Sequence, residues 1–417
     1  MVKVSVIIPV CNVEKYLPQC LESVTGQTLE DIEIICAEDC STDGSADILR
    51  EYAKSDPRIV PLFHDKNLSA SQMRKNAVLA SHGEYIMFVD GDDSLMPYAC
   101  ETAYRAIRES GTDILQFGTN IINRTNAPEN KIQGKQKFVA PYEEYIQEDN
   151  LIRKVWGKGR KFCFILWNKI YEGELCRRAF SCVEDGCFSM AEDLYAFFII
   201  AYFSKTYFGI AEPLYNYNFG IGVTGGRYFS DEKFKAYLTE KGVYEALERF
   251  VRAQGKYGEY SDILEIIKQH LLKECVDKWK DNVRPEQMSY SFDLLARAWG
   301  YEDTLRKLDE IYDERLEINA KLQQKYREKS EINAKLQRTY REKSEINAKL
   351  QQTYREKSEM RASLETELIK ARQEIERVAE AAKKEVRSTL SYRLGAAVLF
   401  IPRGIRGRGY YISGSMA

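Results

Sequence analysis

Four short apolar runs, each leading into a polar segment and then a helical pattern, constrain the first 118 residues more than anything else in the chain. Val4-Ser5-Val6-Ile7-Ile8 is mostly β-branched and stops at Pro9, as a strand buried on both faces does. The runs at 32–35, 59–63 and 85–89 repeat the theme, and the stretch after each of the first three has apolar residues at helical spacing. Asn12 is read as the cap of the first helix and Ser41 or Asp43 as the cap of the second. Strand alternating with helix predicts an α/β fold, a mostly parallel sheet covered by helices. In such sheets ligands gather outside the carboxyl ends of the strands. The polar segments after the first, second and fourth strands are therefore the places to look for chemistry.

The segment after the fourth strand is Asp90-Gly91-Asp92-Asp93. Three carboxylates in four residues repel one another unless a cation or good donors offset them. Hard oxygen ligands suit Mg2+ or Mn2+, which commonly bridges to substrate phosphates. The plain alternative is a polar turn leading into the next helix. The segment after the second strand, Glu38-Asp39-Cys40-Ser41-Thr42-Asp43-Gly44, is equally acidic. There Asp39 could accept the N–H of a base, but helix caps have the same composition. Further on, Glu192-Asp193 precedes Leu194, Tyr195 and Phe198 and reads from its residues alone as a helix start.

As a set these residues resemble a family 2 glycosyltransferase of the GT-A fold. The match runs through VSVIIPVCN at 4, EDCSTDGS at 38, GEYIMFVDGDD at 83, WNKIY at 167 and the Glu192-Asp193 pair, in the family's order. The resemblance implies sugar transfer from a nucleoside diphosphate sugar to an acceptor hydroxyl with inversion at the anomeric carbon. It implies donor contacts from Pro9, Cys11, Asn12, Glu14, Asp39, Arg74, Asp90, Gly91 and Asp92. Within that set Asp39 would hold the nucleobase, commonly uracil, Asp90 would lie near the ribose, and Asp92 would bind Mn2+ or Mg2+. Asp193 matches the general base. Four positions depart from the pattern: Cys11 stands where Tyr often stacks on the base, Glu38 and Cys40 replace the usual Asp and Gly, and Lys75 stands where Asn often follows Arg74. Trp167 and Lys169 fit the family; their plain alternatives are core packing and a surface charge.

The domains expected are a transferase domain over 1–225, with a nucleotide half to about 118 and an acceptor half beyond it, then a helical subdomain over 226–302. The aromatic-rich acceptor half ends in Tyr215-Asn216-Tyr217-Asn218-Phe219-Gly220, read as a loop. Gly220 to Gly225 also satisfies GxGxxG, but no βα unit of a dinucleotide domain precedes it, and a loop closing over the donor is the reading preferred.

Residues 303–388 change character. A 14-residue repeat begins at 317, 331 and 345, without Gly or Pro. Ile318, Leu322, Ile332, Leu336, Ile346 and Leu350 fall on one seam, interrupted by Lys325 and Lys329. A continuous helix here would reach roughly 130 Å. Two readings stand, a solvated spacer helix and a coiled coil that makes a homo-oligomer. In 389–417, an apolar run at 394–401 is flanked by arginines, and seven basic residues from Lys383 onward face a single acid, Glu385. That pattern suits either docking on an anionic membrane surface or packing against another element.

Composition excludes several classes. With 61 Lys+Arg against 63 Asp+Glu, the chain has no basic excess and no nucleic-acid partner is expected. No run of 18 apolar residues is present, and the N-terminus reads as a strand, not a signal peptide. Ten cysteines with no CxxC pair, beside three histidines, read as reduced, mostly buried thiols, which points to the cytoplasm, with the tail on the inner face of the membrane if it docks. The expected activity is metal-dependent, inverting transfer from a UDP-sugar to a surface polysaccharide or lipid-linked glycan. The alternative is a coiled-coil assembly protein whose head binds a nucleotide sugar without turning it over.

Overall fold

A computed structural model of the 417-residue chain describes residues 1–186, 188, 190–221, 228–340 and 346–386. Two compact units are present, Met1–Cys275 and Val276–Ala417. The first opens with β1 (Val4–Val10), α1 (Leu17–Thr25), β2 (Ile32–Glu38), α2 (Ser45–Ser55), β3 (Ile59–Phe63), α3 (Ala70–Leu79) and β4 (Tyr85–Phe88). After them come β5 (Ser94–Leu95), α4 (Ala99–Ser110), β6 (Ile114–Asn123), α5 (Glu129–Val139), β7 (Ile146–Gln147) and α6 (Ile152–Trp156). Next are β8 (Lys169–Glu172), α7 (Gly173–Ser181), α8 (Glu192–Phe203), β9 (Thr206–Phe219), α9 (Asp231–Leu238), α10 (Glu240–Ala253) and α11 (Tyr257–Asn282). The second unit has α12 (Met288–Trp299), α13 (Tyr301–Tyr340) and α14 (Ile346–Val386).

The strands form one sheet in the order β3-β2-β1-β4-β8-β6-β9-β5, with β7 on β9. Most paired residues lie in the parallel ladders β1–β2, β2–β3, β1–β4 and β6–β9, while β8 runs antiparallel between β4 and β6. The expected mostly parallel, helix-flanked α/β sheet is present. β1 is buried along its length except at Pro9. Val10 accepts from the Asp39 amide on the β2 side and Ile7 from the Val89 amide on the β4 side, so alternate residues bond opposite neighbours. Pro9 falls on the β4 side, past the last pair Ile7–Phe88, where its missing N–H leaves no gap in a ladder.

Parallel pairing brings the polar segments after β1, β2 and β4 to the same edge of the sheet. Across the sheet, β6 and β9 slip register at Gly118, where a Cβ would stand 2.3 Å from the Ala211 carbonyl oxygen. Only glycine permits that close approach, and the bulge redirects the end of β9 toward the same edge. Here Tyr215 to Phe219, expected as a loop, are strand: their alternation of aromatic and Asn is the period of a β ladder. α8 carries apolar residues all round, and Leu194 to Ala201 are buried. A helix of that kind belongs in the core, and only its first turn, Glu192-Asp193, meets the polar edge.

In the second unit, Trp279 packs on Phe292 at 5.2 Å and donates Nε1–H to the Met288 carbonyl. The repeat segment is helical over α13 and α14; the side chains of its Ile/Leu seam, residues 341–345, and the 389–417 tail lie outside the described residues. On α14, Met360, Leu364, Leu368 and Ile369 are exposed. Among the described residues no helix is long and apolar enough to cross a membrane.

Candidate active site

Two polar segments interlock before any ligand is considered. Asn12 has φ +53 and caps no helix; α1 begins only at Leu17, with Tyr16 as its N-cap residue. Instead the Asn12 side chain accepts from the Thr42 amide at 2.8 Å, and its own amide donates to Ser41 Oγ at 3.1 Å. Glu14 Oε2 accepts from the Gly44 amide at 2.6 Å, and Asp43 accepts from the Glu14 and Ser45 amides. Gly44, not Ser41 or Asp43, is the N-cap residue of α2; Asp43 stands one residue before it and supports the first turn through the Ser45 amide. Cys11 sits beside the Asp39 carbonyl at 3.7 Å, and burial pushes its thiol pKa up.

Asp39 was expected as a nucleobase contact. It is 1% exposed, and its two carboxylate oxygens accept from the Leu68 and Ser69 amides at 2.6 and 3.1 Å. Asp39 thereby anchors the segment that starts α3, while each of its carboxylate oxygens keeps a lone pair for a further donor. One and a half turns into α3 stands Arg74, 6% exposed. Its guanidinium meets Asp90 at 2.8 Å, Glu192 at 3.2 Å and Asp193 at 3.3 Å. Asp39 thus acts at a distance: it sets the helix whose arginine gathers the carboxylates of β4 and α8. Three carboxylates raise the Arg74 pKa against the pull of burial.

The turn after β4 closes with the Asp93 amide donating to the Asp90 carbonyl at 2.9 Å. Gly91 fits against the Pro9 carbonyl oxygen and Val13, each 3.1 Å from where a Cβ would stand. The carboxylates of this turn have different partners. Asp90 is held by Arg74. Asp93, 2% exposed, accepts from the Tyr215 hydroxyl at 2.9 Å and the Asn218 amide at 2.7 Å; burial, with Asp90 and Asp92 nearby, pushes it up to about 8. The Asp92 carbonyl accepts from Asn218 Nδ2; among the described residues its carboxylate has no ion pair and meets only its own backbone amide. Burial and Asp90 push Asp92 up to about 6.

Asp193 stands two residues after Ala191, whose φ of +57 puts a residue with a Cβ in the left-handed region, at a cost of about 1–2 kcal/mol. Its Oδ1 is buried and accepts no hydrogen bond, although it lies within ion-pair distance of Arg74. The two observations agree: charge neighbours charge, but no N–H points at the oxygen. Burial raises the Asp193 pKa, and the Arg74 cation only partly opposes it.

Sequence reading missed four residues of this cluster. Tyr215 and Asn218 hold the turn, burial and the carboxylates of Asp93, Asp90, Asp92 and Asp193 together push the Tyr217 hydroxyl pKa up, and Lys135 of α5 stands over the Tyr217 ring. The strand period of 215–219 could have found the first three. Trp167 packs as core, stacked on Tyr215 and Tyr217 at 4.5 and 5.0 Å. Lys169 is not a surface charge: it is fully buried and donates to the Ile165 carbonyl and Asn168 Oδ1. Lys75 reaches the Val183 carbonyl at 2.6 Å and Asp185 at 2.5 Å. The GxGxxG segment lies largely outside the described residues. A cavity of about 510 Å3 near the β6–β9 bulge, lined by Thr119, Gln136, Ala140 and Pro213, contains none of the clustered carboxylates.

Comparison with known proteins gives the following. Residues 5–167 match the family described as Glycosyl transferase family 2. Over 282 residues the chain is 29% identical to the putative glycosyltransferase EpsH of Bacillus subtilis (strain 168), covering 66% of this chain and 77% of that protein. It is 32% identical over 180 residues to the uncharacterized glycosyltransferase EpsJ of the same organism, covering 42% of this chain but only 49% of that one. A crystal structure of S. aureus TarS 1–349 in complex with UDP-GlcNAc superposes with a TM-score of 0.47 at 18% identity, over 75% of this chain and 92% of that one.

Proposed function

The chain is a glycosyltransferase of family 2 through its residues 5–167, and on that premise we propose that it moves a sugar, with inversion, from a UDP-sugar to an acceptor hydroxyl. One observation carries this reading. When the clustered carboxylates are assigned their partners, two groups stand out: the Asp92 carboxylate, with no donor from another residue among the described residues, and the buried Oδ1 of Asp193, which accepts no hydrogen bond. An inverting displacement asks for those two things, a hard anionic ligand on the diphosphate side and one base on the acceptor side.

A divalent cation fits the residues present. Among the described residues no three His, Cys, Asp or Glu side chains converge as a complete cage. One uncommitted carboxylate suits Mg2+ or Mn2+, which takes one or two carboxylates and fills its shell with phosphate oxygens and water. Asp92 would hold it. When bound, the cation offsets the charge that develops on the departing diphosphate.

The chain's own residues do the rest. Asp193, raised by burial into the range of a useful base, takes the acceptor proton as the new bond forms. Arg74 keeps Asp90 and Glu192 from repelling it. Asp39 and the Leu68–Ser69 amides frame the base pocket beside Cys11, with Pro9, Asn12, Glu14 and Gly91 holding the loops that shape it. The acceptor we infer is a surface polysaccharide or lipid-linked glycan, with the 389–417 tail bringing the enzyme to an anionic membrane.

Thermal shift and hydrolysis with UDP-, GDP- and dTDP-sugars, with and without Mn2+, test the reading on wild type and Asp92→Ala. Stabilisation by a UDP-sugar that requires both metal and Asp92 is expected. Tight donor binding that never leads to turnover with any acceptor would favour the assembly-protein reading. We also propose that α13 and α14 set oligomeric state, supported by the exposed Met360, Leu364 and Leu368 of α14. Deletion of 303–388 should lower the mass seen by light scattering by more than the segment's own; a mass lowered only by the segment's own counts against it.

A further inference from the structure

Among the described residues the reaction centre has a protein cation to spare, and it comes from an unexpected element. Arg74 is fully committed, with both terminal nitrogens on carboxylates. It cannot also meet a phosphate without letting one of them go. Lys135 of α5 is different: it makes no hydrogen bond or ion pair among the described residues. Its ammonium lies 4.8 Å from the ring centre of Tyr217, 5.8 Å from Trp167 and 5.7 Å from Phe138.

A lysine placed so is under tension. Burial lowers its pKa, which records the water it has lost. Cation–π contact does not replace an ion pair for a partly desolvated ammonium. Its charge faces the cluster: Asp193, Asp93 and Asp90 all favour it, and it in turn lowers the pKa of Asp193. The ring beneath it belongs to Tyr217, whose hydroxyl feels the same carboxylates and Asp92 as well. So the half-buried ammonium rests on an aromatic shelf within the field of the clustered carboxylates, partly desolvated and with no anion in contact among the described residues.

We propose that Lys135 binds a phosphate group of the substrate, its ammonium meeting a phosphoryl oxygen when the site fills. The inference rests on the transferase reading above. Two sources share this chemistry: the diphosphate of the donor, and a phosphate carried by the acceptor.

The test is calorimetric titration of wild type, Lys135→Met and Lys135→Arg with uridine, UMP and UDP at saturating Mn2+. A second arm measures the melting temperature of the UDP-saturated proteins with added inorganic phosphate. The Met variant keeps the apolar stem on the shelf, and the Arg variant keeps the charge. For a donor contact, Met binds uridine as wild type does and UDP about 10- to 100-fold more weakly, with most of the loss restored by Arg. For an acceptor contact, UDP affinity is unchanged, and inorganic phosphate stabilises the wild-type complex but not the Met complex. Unchanged behaviour in both arms overturns the proposal. So does an equal loss for uridine and UDP, which marks a displaced pocket. Wild type that binds no uridine, guanosine or thymidine diphosphate would sink the transferase reading itself, and the Lys135 proposal with it. That outcome is visible before any variant is made.

Discussion

The acidic loop after β2 and the acidic turn after β4 have nearly the same composition and the same place at the carboxyl edge of the sheet, yet their carboxylates are spent differently. In the loop, Glu38 accepts from the Ser41 amide at 2.6 Å, Asp39 from Leu68 and Ser69, and Asp43 from Glu14 and Ser45. Each of these three acids satisfies backbone N–H groups that would otherwise be unpaired. In the turn, Asp90 and Asp93 are held by Arg74, Tyr215 and Asn218, and Asp92 is left open. Residue type and topology do not separate a structural acid from a reactive one; the partners do. Substitution in the loop should therefore cost stability first, and in the turn activity first.

The largest effect is expected at the third acidic point, where α8 begins. Asp193→Asn should lower turnover by about 10^2- to 10^4-fold, with the chemical-denaturation midpoint little changed. In wild type the base must be ionised, so kcat/KM should rise with pH through a pKa above the ordinary carboxylate range, because burial raises Asp193. A pH profile flat across that region would remove Asp193 from the chemistry. Next, Asp92→Ala should cost about 10^2- to 10^3-fold in turnover and abolish the metal dependence of donor binding. It should not destabilise the fold, since it removes a half-buried carboxylate that no other described residue bonds. Asp39→Asn should do the opposite. It loses an acceptor from the Leu68 and Ser69 amides and costs about 2 kcal/mol in denaturant unfolding, with activity falling as α3 and Arg74 loosen. An Asp39→Asn protein of wild-type stability that no longer binds donor would collapse the comparison and make direct contact with the base the main task of Asp39.

Much of this edge was legible because strands buried on both faces leave near-continuous apolar runs, and the DGDD turn follows one of them directly. What stayed hidden was hidden for physical reasons. Asn and Gly favour turns, so Tyr215-Asn216-Tyr217-Asn218 read as a loop, although in the fold Asn218 is paired through both its amide and its side chain. Asn12 has a capping residue's chemistry, but it caps the neighbouring loop, a partner 30 residues away. Lys135 sits among Lys131 and Lys137 on a polar helix, where nothing local marks it as the one that turns toward the aromatic shelf. Lys169 looked like a surface charge because its partners, Ile165 and Asn168, are ordinary residues that only the fold brings round it. The Asp39 carboxylate accepts from amides 29 and 30 residues ahead of it, which no local pattern announces.

The smallest expected effect tests the loop from its backbone. Cys40 stands at φ +53, a conformation that costs a residue with a Cβ about 1–2 kcal/mol. Cys40→Gly removes that strain but gives the unfolded chain more freedom, worth about 0.5–1 kcal/mol in the other direction. The net expectation is a gain of about 0.5 kcal/mol in denaturant unfolding, with donor affinity and turnover unchanged. The thiol also lies 3.0 Å from the His64 carbonyl, a contact the glycine cannot make. If Cys40→Gly loses stability, that contact outweighs the strain and the side chain holds the loop as Asp39 and Asp43 do. If it gains stability but weakens donor binding, the strained backbone is itself part of the base pocket, and the division between a structural loop and a reactive turn would have to be redrawn at this residue.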